Sequence, residues 1–326
     1  MNTYFSQTEL QTVLTQNHEK WKSLIQSRCR PLSPISTAAT AQLSALSDIK
    51  AVVFDIYGTL LISGSGEVGS LTADKSHEKL DFFNAFQAAG IIPSLSPEVF
   101  NGVCSKFYEE AIQARHRELK AQGIDYPEVN ILDIWHSVGQ TLFHDKIISQ
   151  FLSAYNLILI ALEYELSANP TWPMPNACET LATLCRHNYV MGIVSNAQFY
   201  TPLILDSLFE PSLTALGIAE EARVWSYKLG YAKPSARLFA SLLEYLDRSS
   251  GIQPQEILYV GNDMLNDIYT AAAVSCRTAL FAGDRRSLRV RRGNSLVQSL
   301  QADVIITDMA QLLQILGLSY KRSILQ

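Results

Sequence analysis

Short apolar segments alternate with stretches of helical period in the second half of the chain. The apolar segments are rich in β-branched and aromatic side chains, and the stretches between them are long enough for crossover connections. The predicted strands are residues 189–194, 224–226, 257–260, 278–281 and 304–306. Strands joined by helices pair in parallel within one sheet. The pattern therefore predicts an α/β fold with a Rossmann-like parallel sheet.

A further apolar strand, residues 51–54, comes much earlier and is followed by an acid. Asp55 comes directly after it, and Gly58 then turns the chain. The carboxyl ends of the strands in an open α/β sheet face the ligand crevice. Asp55 is therefore placed where a catalytic carboxylate would lie, although an aspartate that only caps a turn would have the same local sequence.

Two regions of the chain show helical period without strand patterns. The longer runs from about residue 74 to residue 166, and the shorter lies near the start of the chain. We expect an N-terminal helical extension at 1–48, an α/β core at 49–70 and 170–326, and an inserted α-helical cap at 71–169. The cap is expected to lie over the carboxyl edge of the sheet, and the extension to pack on the main body or on a second subunit.

The composition argues against several classes of function. The net charge of −5 gives no overall basic footprint for nucleic acid. The most apolar stretch, residues 147–162, is interrupted by polar residues and is too short to span a membrane. Five scattered cysteines without a CxxC pair indicate neither a disulfide framework nor a structural zinc site. We expect a cytoplasmic protein with a small-molecule substrate and no nucleic-acid or membrane partner, and the sequence leaves the oligomeric state open.

Polar residues follow the later strands as Asp55 follows the first. They are Ser195 and Asn196 after strand 189–194, Lys233 in segment 230–234, and Asp263 and Asp267 after strand 257–260. Taken singly, each has an ordinary explanation as a helix cap, a solvated lysine or a favourable charge at a helix N-terminus. Because parallel strands end at one edge of a sheet, we expect these residues to lie close to Asp55.

The order of these motifs resembles the haloacid dehalogenase superfamily, whose motifs are a nucleophilic aspartate, a serine or threonine, a lysine and a pair of acids. The resemblance runs from about residue 49 to residue 310. It implies that Asp55 is the nucleophile and that Lys233 holds the nucleophile and the phosphoryl oxygens electrostatically. It also implies that Ser195, with nearby backbone N–H groups, hydrogen-bonds a phosphoryl oxygen. Asn196 belongs to the same motif and is counted with the catalytic residues.

A bound Mg²⁺ is expected on grounds of charge. A carboxylate attacks phosphorus only when the negative charge of both partners is offset. Asp263 and Asp267 are four residues apart at the start of a helix predicted at 265–274 and can face one ion. The resemblance adds Asp55 and the backbone carbonyl of Tyr57 as ligands. It leaves one position open, because Asn262 can take the place of the first acid and displace Asp263 by one, whereas Asp267 fits either alignment.

The first motif departs from that of the superfamily's phosphatases. They usually carry a second aspartate two residues after the nucleophile, where this chain has Tyr57. The sequence Asp-Ile-Tyr-Gly-Thr at 55–59 instead resembles the 2-haloacid dehalogenases, in which aspartate attacks carbon, expels halide and needs no metal. Two features oppose that reading: no arginine lies between Asp55 and Arg115 to grip halide and carboxylate, and the acids of the fourth motif suit a cation.

The favoured interpretation is a Mg²⁺-dependent phosphatase that cleaves a small phosphate ester through an aspartyl-phosphate on Asp55. Its proton donor is unassigned, since Tyr57, a cap residue or the substrate can supply the proton. The first alternative is a metal-independent hydrolase of the 2-haloacid dehalogenase type. The second is a catalytically silent member of the superfamily that serves as a binding or regulatory protein.

A dense basic run lies downstream, at residues 285–292. A solvated loop is the ordinary explanation for such a run. The alternative is a docking patch for an anionic substrate tail or partner.

Overall fold

The computed structural model describes residues 5–66 and 81–318. The strands are β1 Ala51–Phe54, β2 Leu61–Ser63, β3 Thr171–Pro173, β4 Val190–Ser195, β5 Arg223–Trp225, β6 Ile257–Gly261, β7 Arg277–Phe281 and β8 Val304–Ile306. The α-helices are α1 Gln7–Gln16, α2 His18–Arg28, α3 Phe82–Ala88, α4 Pro97–Ala121, α5 Ile131–His144, α6 Ala154–Ala168, α7 Ala177–Arg186, α8 Tyr200–Leu208, α9 Ser226–Leu229, α10 Arg237–Ser250, α11 Thr270–Ala273 and α12 Gln311–Ile315.

Six strands form one parallel sheet in the order β5-β4-β1-β6-β7-β8. Strand β1 is central and buried along its whole length, which explains why all four of its residues are apolar. Phe54 pairs with Ile193 on one side and with Val260 on the other, so Asp55 follows at the carboxyl end between two neighbouring strands. The predicted α/β fold with a Rossmann-like parallel sheet is confirmed.

The structure corrects two details of the predicted elements. Ser226 begins helix α9 and does not end strand β5. The helix predicted at 265–274 begins as a π-helical turn, Met264–Tyr269, and only its last part is α11. Strands β2 and β3 form a separate antiparallel pair that the sequence analysis missed, because each is only three residues long and shows no alternating pattern.

The described residues group into two compact units. The first, here called the sheet unit, comprises residues 31–66, 171–197 and 208–318. Its core includes β1, β4 and β6 together with the apolar face of α10, which contributes Leu238, Phe239, Leu242 and Leu246. The segment before β1 also belongs to this unit, and Gln42 pairs with Ile305 of β8.

The second, here called the helical unit, comprises residues 5–30, 81–170 and 198–207. Its core holds a group of aromatic rings that includes Phe82, stacked 4.7 Å from Tyr164, and Trp135. The predicted boundary between core and cap, at residues 70 and 71, lies outside the described residues, and the division into extension, core and cap stays a prediction. Among the described residues, no helix combines the length and the hydropathy that a membrane span needs.

Candidate active site

The ends of β1 and β4 bring an acid and a hydroxyl together in the sheet unit. The Ser195 hydroxyl donates a hydrogen bond of 2.9 Å to Asp55 Oδ1. The Lys233 ammonium donates to the same oxygen at 2.7 Å and to Asp267 Oδ1 at 2.5 Å. All four side chains are buried. The structure thus places the predicted acids Asp55 and Asp267 on the buried ammonium of Lys233, with Ser195 bonded to Asp55.

The two oxygens of the Asp55 carboxylate differ in their surroundings. Oδ1 is fixed by Ser195 and Lys233. Oδ2 accepts no hydrogen bond from the residues that the structure describes, and the side chain keeps 10% of its surface accessible. A carboxylate held through one oxygen and open at the other is oriented for nucleophilic attack through Oδ2.

Asn196 holds the loop that carries the lysine. Its Oδ1 accepts a 2.7 Å hydrogen bond from the backbone N–H of Lys233, and its Nδ2 lies 3.5 Å from the carbonyl of the same residue. These contacts are with the backbone of Lys233, so they make Asn196 a residue that positions the lysine. The sequence analysis grouped Asn196 with the catalytic residues.

Tyr259, in the middle of β6, completes the surroundings of the lysine. Its hydroxyl donates to the carbonyl of Val194 at 2.7 Å, so its oxygen is left to accept from Lys233 Nζ at 3.0 Å. The three N–H groups of the ammonium then point to Asp55, Asp267 and Tyr259. Sequence reasoning missed Tyr259, although a tyrosine in a strand that is otherwise apolar signals a hydroxyl that needs a buried partner.

The charge of Lys233 follows from these neighbours. Burial alone would lower the pKa of the lysine, but the carboxylates of Asp267 and Asp55 raise it well above its ordinary value. Lys233 is therefore a fixed ammonium. Burial also raises the pKa of Asp267, and the ion pair with Lys233 opposes that shift.

Asp267 is bonded through both of its oxygens. Oδ2 accepts hydrogen bonds of 2.9 Å from the backbone N–H groups of Asn262 and Asp263, while Oδ1 meets Lys233 and lies 3.3 Å from the Tyr259 hydroxyl. The carboxylate packs against Gly261, where an added Cβ would lie 2.3 Å from Asp267 Cγ. Asp267 thus ties the end of β6 to the lysine.

Asp263 contacts the basic run rather than Lys233. Its Oδ1 accepts from the backbone N–H groups of Leu265 and Asn266 and so caps the helical turn that follows. The guanidinium of Arg291 contacts both carboxylate oxygens, with the shortest distance, 2.6 Å, to Oδ2. Part of the run at 285–292 is therefore an internal partner of the fourth motif.

Asn262, and not Asp263, borders the turn that follows Asp55. Its Oδ1 accepts a 3.0 Å hydrogen bond from the Thr59 hydroxyl, and its Nδ2 donates to the carbonyl of Ser287 at 2.6 Å. Gly58 lies beside both partners with φ +83°, and a Cβ there would be 2.3 Å from Ser287 Cβ. Tyr57, in the same turn, is 6% exposed, and its backbone forms an isolated β-bridge with that of Leu61.

The expected magnesium ion would need open oxygen atoms on these carboxylates. Asp267 and Asp263 have their oxygens engaged by Lys233, Arg291 and backbone N–H groups, so only Asp55 Oδ2 is open. No three acidic, histidine or cysteine side chains within residues 5–66 and 81–318 form a group that could hold a metal. The predicted ligands Asp55, Asp263 and Asp267, with the carbonyl of Tyr57, do not fit Mg²⁺ in this arrangement.

The identity of the family follows from a comparison with known families. Residues 49–275, well over half of the chain, match the family model described as haloacid dehalogenase-like hydrolase. This chain belongs to that family. The expected superfamily, stated above as a resemblance, is thereby confirmed.

Curated relatives of this haloacid dehalogenase-like hydrolase match only in part. Two phosphoglycolate phosphatases from strains of Haemophilus influenzae are 32% and 31% identical over 144 residues, which is 44% of this chain and 56% of each relative. The chain thus spans about half the length of the curated relatives it matches.

Solved structures of the same superfamily resemble the chain over most of its length. A 2-haloacid dehalogenase from Pseudomonas syringae is 20% identical, with a TM-score of 0.48, over 82% of this chain and 98% of its own. A HAD phosphatase from Thermococcus onnurineus is 21% identical, with a TM-score of 0.46, over the same shares of the two chains, 82% and 98%. Similarity at this level does not decide between the two reactions.

Proposed function

We propose that this hydrolase cleaves a small phosphate ester and that Asp55 is its nucleophile. The observation that carries the proposal is the asymmetry of the Asp55 carboxylate, with Oδ1 fixed by Ser195 and Lys233 and Oδ2 open. The partial match with phosphoglycolate phosphatases supports a phosphorylated substrate, and phosphoglycolate is the first compound to try.

The proposed reaction has two displacements at phosphorus. Asp55 Oδ2 attacks the phosphorus atom, the bond to the ester oxygen breaks, and the departing alcohol takes up a proton. Water then attacks the aspartyl-phosphate, the bond between phosphorus and Oδ2 breaks, and the carboxylate returns with release of inorganic phosphate. The ammonium of Lys233 offsets negative charge as the two anionic partners approach.

The proton donor for the alcohol stays open between Tyr57, a cap residue and the substrate. Tyr57 follows the nucleophile by two residues and is buried, so its hydroxyl is the candidate within the sheet unit. Ser195 bonds the nucleophile itself in this structure, and a contact with a phosphoryl oxygen is its expected role with substrate bound.

A second candidate reaction is hydrolytic dehalogenation of a 2-haloacid. The observation in its favour is that the acids after β6 are neutralised by Lys233 and Arg291, which leaves no evident metal ligand set among the described residues. Asp55 Oδ2 would attack carbon, halide would leave, and water would cleave the resulting ester. Both candidates share the nucleophile and differ in the product that is released.

The deciding experiment offers the purified chain a panel of phosphate esters and 2-haloacids and measures released phosphate and halide separately. Asp55→Asn should lose activity by roughly 10³-fold or more, because an amide cannot act as the nucleophile. Asp247→Asn, at an exposed acid on α10, is the matched control and should keep wild-type rates. Wild-type rates in Asp55→Asn would remove Asp55 from the mechanism, and halide without phosphate would establish the second candidate.

A further inference from the structure

We infer that this active site is built to work without a divalent cation, with Lys233 and Arg291 as its permanent counter-charges and the neutral amide of Asn262 beside the turn that follows Asp55. The inference rests on the proposed function only in taking Asp55 as the nucleophile. It concerns what occupies the site and holds for attack on phosphorus or on carbon.

The first argument is the balance of charge. The carboxylates that the motifs bring to this edge of the sheet are those of Asp55, Asp263 and Asp267. Buried acids without counter-charges would be costly, and this cost is the reason for expecting a metal ion from the sequence. The structure supplies two cations instead, since Lys233 pairs with Asp55 and Asp267 while Arg291 pairs with Asp263. Among these three acids and two cations one negative charge remains, and it is the charge that the nucleophile needs.

The second argument is the use of each oxygen atom. Asp267 accepts two backbone N–H groups through Oδ2 and the ammonium through Oδ1. Asp263 accepts two backbone N–H groups through Oδ1 and the guanidinium through both oxygens. A metal ion would have to displace these donors, and every displaced donor would then need a new partner.

The third argument is the residue that borders the nucleophile's turn. Asn262 bonds to Thr59 in that turn, whereas Asp263 points toward Arg291. Because an amide is neutral, it adds no charge to attract Mg²⁺, which favours carboxylate ligands. An acid at position 262 would place a second carboxylate next to the turn that carries Asp55.

Mg²⁺ should leave the wild type unchanged and stabilise one variant, Asn262→Asp. The full chain is stripped with chelator, and its Tm is followed as MgCl₂ or MnCl₂ is added at constant ionic strength. We expect the wild type to show no saturable rise in Tm and no change of activity with chelator. Asn262→Asp should gain a saturable rise in Tm, since a ligand that binds only the folded state stabilises it.

Asp263→Asn is the matched exchange at the neighbouring position, from acid to amide. An asparagine still caps the helical turn but gives up the ion pair with Arg291. We expect a lower Tm at all metal concentrations and, as in the wild type, no response to Mg²⁺. If Asp263 is a metal ligand instead, the wild type will respond to Mg²⁺ and Asp263→Asn will lose the response.

Two results would overturn the inference. One is saturable Mg²⁺ binding by the wild type that Asp263→Asn or Asp267→Asn abolishes. The other is a folded Asn262→Asp variant that does not respond to Mg²⁺ or Mn²⁺. If Asn262→Asp does not fold, as judged by circular dichroism, the Mg²⁺ responses of the wild type and of Asp263→Asn still decide whether the site binds a metal ion. These experiments measure metal binding and stability, whereas Asp55→Asn is tested by activity. The inference and the proposed function can therefore be contradicted independently.

Discussion

A single ammonium group holds two acids of this site, Asp55 and Asp267. The three N–H groups of Lys233 have their closest acceptors in Asp55, Asp267 and Tyr259, while the carbonyl of Val194 lies farther off, at 3.5 Å. No motif predicts the hydroxyl of Tyr259 as one of these acceptors. Because Tyr259 gives its own proton to the carbonyl of Val194, its lone pairs are turned toward the lysine. A hydroxyl fixed in this way adds no charge but determines where the ammonium sits.

Tyr259→Phe tests this positioning role. The variant leaves one N–H of a buried ammonium without its acceptor, which costs about 1–3 kcal/mol of the free energy of unfolding. We expect kcat to fall about tenfold with KM nearly unchanged, because the lysine shifts relative to Asp55 while substrate contacts stay. Tyr245→Phe, on α10, is the control and should change neither quantity. Equal kinetics for the two variants would show that Tyr259 does not position Lys233 for the reaction.

The sequence predicted which strands end at the site more accurately than it predicted what their acids contact. Strand ends follow from apolar runs and topology, so Asp55 and Ser195 could be expected to meet. The partner of Asp263 could not be foreseen, because Arg291 comes from a segment without regular structure, beyond β7. A helical pattern at 265–274 likewise could not show that its first turn is π-helical.

The end of β6 and the π-helical turn after it form one tightly packed element. The Asp267 side chain folds back onto Gly261 and binds the backbone N–H groups of the two residues that follow this glycine. Any side chain at 261 would therefore collide with the carboxylate that holds Lys233. The glycine is required by this close approach and not by a positive φ.

Gly261→Ala should both destabilise the protein and slow the reaction. The added Cβ would lie 2.3 Å from Asp267 Cγ, so the carboxylate or the strand must move. Overpacking of this kind costs about 1–3 kcal/mol. Gly102→Ala, in α4 with no atom within 4 Å of the new Cβ, is the control and should be neutral or stabilising by up to about 1 kcal/mol. Denaturant unfolding measures the loss of stability, and kcat measures the slower reaction. If the Asp267 carboxylate accommodates the methyl group, Gly261→Ala and Gly102→Ala will give the same values.

At the scale of the whole molecule, the first helices are an integral part of the helical unit. Trp21 of α2 is 1% exposed, and its ring lies 5.1 Å from that of Tyr155 in α6. Arg28, also in α2, binds Glu163 through two hydrogen bonds of 3.0 and 2.9 Å. Burial of a tryptophan contributes far more than an ion pair at an accessible surface, so Trp21 is the main anchor of α2.

Trp21→Ala should therefore destabilise the helical unit. Loss of a buried tryptophan costs about 3–5 kcal/mol, compared with a change within about 0.5 kcal/mol for Ser23→Ala at an exposed position of the same helix. Hydrogen exchange should show the loss of protection in α2 and α6, while β1 and β6 keep theirs because their core lies within the sheet unit. If Trp21→Ala unfolds no more readily than Ser23→Ala, the N-terminal helices are an attachment to the helical unit and contribute nothing to its core.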